Sequence, residues 1–154
     1  KFIFSRVADA CVIVAVILVA RIFGTLELAG VMAAVTSLQA AGEAPAGIAV
    51  VAALLAVAAI IKSAQLPFHS WLPQVMETPT PVSALLHAGI INAGGFLVVR
   101  LSDVMSLAPG ALLMLAVFGA ATALFGALVM LTQNSIKSSL AWSTVAQMGF
   151  MIMQ

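Results

Sequence analysis

Charged side chains are scarce in this sequence. Only 7% of its 154 residues are Asp, Glu, Lys or Arg, whereas 64% are hydrophobic. A typical soluble domain is about one quarter charged. A water-facing exterior cannot be built from so little polar material, so a soluble globular fold is excluded. The formal net charge of +1 gives no field that would attract nucleic acid. The single cysteine, Cys11, cannot close an internal disulfide. Cys11, His69 and His87 lack the spacing of a zinc or haem site, and neither a phosphate-cradling loop nor a nucleophile elbow occurs. No metal, cofactor or enzyme catalytic residue is therefore expected in this chain. The features of a signal peptide are also missing. The chain opens at Lys1 rather than Met and stops at Gln154 in an apolar stretch, so it is expected to be part of a longer protein.

Long uncharged runs are what the sequence has in quantity. Thr78 to Val99 carries no charge, and neither does Val104 to Ile136. A helix needs roughly 20 apolar residues to cross a bilayer core of about 30 Å. The expected fold is all-α: a polytopic transmembrane helical bundle in contact with lipid. Five helices are predicted, over about 7–23, 46–65, 81–100, 110–131 and 135–154. Pro67 removes a backbone donor after "KSAQL" and is the predicted helix break. Thr80 suits the cap of the third helix, with Pro81 at its first position. Asn134 or Ser135 suits the cap of the fifth. The connection from Gly24 to Pro45 reads as a loop, with room for a short surface helix.

Charge inside a span is costly and needs a reason. Lys62 stands about one turn before Pro67. It suits a lysine snorkelling from a helix end. It equally suits a group held beside the unpaired carbonyls of a broken helix. Desolvation works against the charged lysine and the carbonyl pole works for it, which would leave it able to gain and lose a proton. His87, two turns into the third helix, suits either packing or a proton relay, because an imidazole titrates near pH 6.5. Ser83 lies four residues before His87 and should share its face, whereas Asn92, five residues after, need not. His69 beside the break suits a headgroup-level position, and Trp71 suits the membrane interface. Glu77 suits helix-start electrostatics or a cation partner. Lys137 in the first turn of the fifth helix opposes the macrodipole. Lys137, His69 and Glu77 are thus candidates for either a relay or a structural role.

These residues sit in a pattern that resembles a known family. "KSAQLPFHSWLPQVMETPTPVSALLHAGIINAGGFLVVR" is similar to the central signature of the proton-conducting antiporter-like membrane subunits. These include the large antiporter-like subunits of respiratory complex I and the large subunit of multisubunit sodium/proton antiporters. "SRVADACVIVAVILVARIFGTLEL" resembles the preceding helix, and "QNSIKSSLAWSTVAQMGFM" a later motif. The variant "HAGIINAGGFL" looks most like the membrane subunit of DAB-type inorganic carbon transporters. The resemblance implies a fragment of a fold of inverted repeats containing a discontinuous helix. It implies relay roles for Lys62 and His87, with an acidic partner for Lys62 on an earlier helix expected outside this chain. It also implies a bacterial cytoplasmic (inner) membrane, protons and possibly sodium as transported ions, and a large soluble zinc-containing partner. Alternatives are a proton-pumping subunit of NADH:quinone oxidoreductase, a sodium/proton antiporter, or a non-conducting membrane anchor.

Overall fold

The computed structural model describes residues 2–42, 44–74 and 78–154. Glu77 lies outside them. The described chain is helical: α1 (Phe2–Phe23), α2 (Leu28–Ala41), α3 (Ile48–Lys62), α4 (Trp71–Gln74), α5 (Thr80–Leu85), α6 (Asn92–Arg100), α7 (Ser102–Ser106), α8 (Pro109–Leu131) and α9 (Ile136–Met153). A 3₁₀ turn over Phe68–Ser70 leads into α4, and a π-helical turn over Leu86–Ile90 joins α5 to α6.

The apolar helix α3 is the centre of the bundle. It buries nine side chains, from Ile48 to Ile61. Helix α1 lies along it, with Ala8 and Ala15 fully buried in the seam. Small residues let the two backbones come close. The other face of α1 exposes Ile3, Ile13 and Ile17. Such apolar exteriors suit hydrocarbon, not water. Three stretches among the described residues are long and apolar enough to cross a membrane: Ile3–Phe23, Pro81–Arg100 and Pro109–Leu131.

Helices α8 and α9 form the closest pair. A Cβ on Gly149 would lie 2.5 Å from the Ala123 nitrogen, and one on Gly119 would lie 2.7 Å from the Gly149 carbonyl. Hydrogen atoms at these two positions are what let the backbones touch. Ser135 caps α9, its hydroxyl accepting the Ser138 N–H at 3.1 Å.

Two local expectations change. The Gly24–Pro45 connection contains a full 14-residue helix, α2, and buries Val31 and Val35 in the core. Its Gln39 amide donates to the Asp103 carbonyl at 2.9 Å, tying it to α7. Helix α5 begins at Thr80, so Pro79 and not Thr80 stands at the cap position. Pro79 has an extended backbone, which a residue preceding another helix-starting segment can hold without a donor of its own.

Candidate functional site: a charged helix break

The break is built from the sequence Ser63–Pro67. Pro67 cannot donate to a helical ladder, and it disfavours helical conformation in the residue before it. The chain leaves α3 through Ala64, whose φ of +53° is in the left-handed region, and the Leu66–Pro67 peptide bond is cis. The freed backbone groups find partners. Ser63 N–H and Ser63 Oγ–H both donate to the Ala59 carbonyl, at 2.9 and 2.6 Å. Gln65 N–H reaches the Ile60 carbonyl at 3.1 Å. Leu66 N–H donates to Thr122 Oγ1 of α8 at 3.0 Å. That hydroxyl in turn donates to the Phe118 carbonyl at 2.6 Å. Irregular backbone at membrane depth requires such satisfaction from neighbouring helices.

Lys62 is the last residue of α3. Its ammonium meets a carboxylate, a partner that neither reading of the sequence supplies within this chain. Lys62 Nζ lies 2.7 Å from Asp9 Oδ1 on α1. Asp9 Oδ2 lies 2.8 Å from Arg6 Nη2, one turn away on the same helix. An acidic partner for Lys62 is therefore present in this chain, which corrects the expectation that it lies outside. Sequence reasoning missed Asp9, although it is an acid in a membrane-spanning stretch, the same signal that singled out Lys62. The Lys62 side chain remains 35% exposed and faces a cavity of about 320 Å³, shared with Ser5, Trp71, Leu86 and Ile90. Trp71 thus lines the site.

His87 lies in the π turn. The turn closes on an Ile91 N–H to Leu86 carbonyl bond of 3.3 Å. Leu86 and Ile90 face the Lys62 cavity, while His87 lines a second one of about 410 Å³ with Asn92, Ser143, Thr144 and Gln147. Lys62 and His87 therefore border different cavities on either side of one turn. The i→i+5 closure of a π turn also brings Asn92 beside His87, where an α-helical count would not. Ser83 shares a 3.0 Å hydrogen bond with the Thr78 hydroxyl. His87 Nδ1 is buried and has no hydrogen-bond partner among the described residues.

The remaining candidates separate. His69 packs between α8 and α9, with ring centroids 5.4 Å from Phe125 and 5.5 Å from Trp142. Its Nδ1 is likewise buried without a partner. Lys137 donates to the Thr78 carbonyl at 3.0 Å, linking the start of α9 to the segment before α5. That contact accounts for a cation at an otherwise unfavourable helix end. Gln65, which the sequence reading passed over, is fully buried at the break with its side-chain carbonyl unpartnered. Among the described residues, no three His, Cys, Asp or Glu side chains converge on a metal-sized site.

Residues 1–154 match the family described as NADH:quinone oxidoreductase/Mrp antiporter, transmembrane. The chain belongs to this family. It is an integral membrane protein and an antiporter-like membrane subunit. It is 50% identical to the probable inorganic carbon transporter subunit DabB2 of Halothiobacillus neapolitanus, over all of this chain and 27% of that one. It is 42% identical to NADH-quinone oxidoreductase subunit L of Mycobacterium tuberculosis, over 99% of this chain and 23% of that one. The chain thus spans about a quarter of the length of these relatives. In fold it resembles a chain of the membrane-bound sulfane sulfur reductase, an archaeal respiratory membrane complex. The TM-score is 0.82 at 21% identity, covering 99% of this chain and 31% of that one.

Proposed function

We propose that this chain is the proton-carrying part of the membrane subunit of an inorganic carbon uptake pump. The observation that carries the reading is the Lys62–Asp9 pair at the helix break, 2.7 Å long and open to a cavity. Lys62 holds a proton at the break and releases it into the cavity. Asp9 keeps Arg6 as a second cation, so loss of the Lys62 charge does not strand a bare carboxylate. His87 receives the proton across the π turn and passes it on. The ion gradient drives CO2 hydration in a large, soluble, zinc-containing partner of carbonic-anhydrase type. This chain itself holds no cofactor and works in a bacterial cytoplasmic membrane. The likeness to the DabB2 subunit supports the carbon-uptake assignment.

The likeness to subunit L supports a second reading, a proton-pumping subunit of an NADH:quinone oxidoreductase. The two differ in their partner. Purification of the intact complex should yield a zinc protein under the first reading and a flavin and iron–sulfur assembly under the second. The relay itself is tested by Lys62→Ala and His87→Gln in the full complex. Both should abolish gradient-driven uptake at normal membrane levels. Undiminished uptake in both would leave a non-conducting anchor.

A further inference from the structure

The π turn holds one residue more than an α-helical turn would. Every residue after it is set back by one place, about 100° around the helix axis, relative to α5. The effect is felt in α6. Gly94 is buried against α3, where a Cβ would lie 2.6 Å from the Ala59 carbonyl oxygen and 3.1 Å from the Ser63 nitrogen. That carbonyl is the one that accepts both Ser63 donors at the end of α3. Gly95 faces α9, where a Cβ would lie 2.6 Å from Met151 Sδ. A flexible thioether can move aside, but a hydrogen-bonded backbone carbonyl cannot.

An unbroken α-helix from Thr80 would advance each of these places by one residue. Ala93 would then stand where Gly94 stands, with its methyl group on the Ala59 carbonyl. Carbon and oxygen normally keep about 3.3 Å or more between them, so that register is closed. Asn92 would stand where Ala93 stands. Ala93 lines the Lys62 cavity, so Asn92 would turn into that cavity and away from His87. Gly89, within the turn, is exposed and has nothing within 4 Å of a Cβ, so no outside contact holds the turn at that point.

We infer that Gly94 is a positioning residue that locks the register of α6: it fits the Ala59 carbonyl only when the π turn is formed, and so keeps Asn92 beside His87 and out of the Lys62 cavity. The effect of this lock on transport rests on the relay reading above; the register itself does not.

The test uses the full complex in native membranes, with Cys11→Ser and a short thiol crosslinker. Asn92→Cys and Ser143→Cys line one groove and should crosslink, whereas Asn92→Cys and Ser5→Cys, on opposite sides of the turn, should not. Adding Ala93→Gly/Gly94→Ala moves the place without a methyl group by one residue. It should reverse the two crosslinks at membrane levels within about twofold of the parent. With Asn92 restored, it should lower gradient-driven uptake about tenfold. An unchanged crosslink pattern would overturn the lock, and reversed crosslinks with parental uptake would overturn its role in transport. Deletion of Gly89 decides the matter if the exchange is poorly inserted. It removes the extra residue and lets Gly94 keep its place on Ala59, so the crosslink between Asn92→Cys and Ser143→Cys should survive. Loss of that crosslink, or of the subunit from the membrane, would show that the turn sets the register without Gly94 and would overturn the lock. An unimpaired His87→Gln would remove the relay and leave the crosslinks, and with them the lock, as they are.

Discussion

Lys62 on α3 and Asp9 on α1 face each other across the seam between their helices, nitrogen to oxygen, at 2.7 Å. The contact joins the last residue of α3 to α1. It also makes the charge state of the break depend on two helices at once. Asp9 is shared between Lys62 and Arg6, so the cluster carries one more cation than anion when Lys62 is protonated. It becomes neutral when Lys62 is not.

Removing either member of a coupled pair should disable the same step. Asp9→Asn and Lys62→Ala are each expected to reduce gradient-driven uptake by tenfold or more. The double variant should do no worse than the more severe single, since contacting residues are not additive. A double-mutant cycle on uptake rates measures this, and losses that multiply would show two independent roles.

The break also depends on α8. Thr122 is fully buried, and its hydroxyl satisfies Leu66 N–H. Thr122→Val keeps the shape and removes the acceptor. An unpaired buried donor costs about 1–3 kcal/mol, so the thermal midpoint should fall and uptake with it. Thr122→Ser should keep most of both. Equal behaviour of Val and Ser variants would mean that the hydrogen bond contributes nothing.

Packing of α8 against α9 rests on hydrogen atoms at specific places. Gly149→Ala would press a methyl group against the Ala123 backbone, whereas Gly110→Ala meets nothing within 4 Å. Overpacking costs about 1–3 kcal/mol. The first variant should melt earlier in detergent and reach the membrane at lower levels. The second should match the parent. Thermal scans of the two side by side distinguish this from a general intolerance of change.

The parts of this site set by local chemistry were legible in the sequence. A proline that follows a long apolar run lacks the donor the ladder needs there, so the break at Pro67 and the place of Lys62 beside it are legible directly. The start of α9 is likewise legible to within a residue, at Asn134 or Ser135, and Ser135 is the cap. What could not be read were relations between distant segments. Asp9 lies 53 residues before Lys62, and only the packing of α1 on α3 makes them partners. The π turn carries no proline to mark it, so Asn92 was not placed beside His87. The ring contacts of His69 with Phe125 of α8 and Trp142 of α9 are likewise long-range and have no sign in the sequence around it. The stretch that forms α2 reads as a loop with room for a short surface helix, because its residues are only moderately apolar, yet Val31 and Val35 share one face and both bury.

The most direct test is Lys62→Arg, assayed for proton flux in vesicles containing the full complex. Arginine preserves a cation opposite Asp9, but it does not give up its proton in a protein. If Lys62 carries the proton, this variant should assemble normally, retain stability near that of the parent, and lose flux about as completely as Lys62→Ala. Parental flux in Lys62→Arg would contradict the account, because the lysine would then be only one half of a structural ion pair.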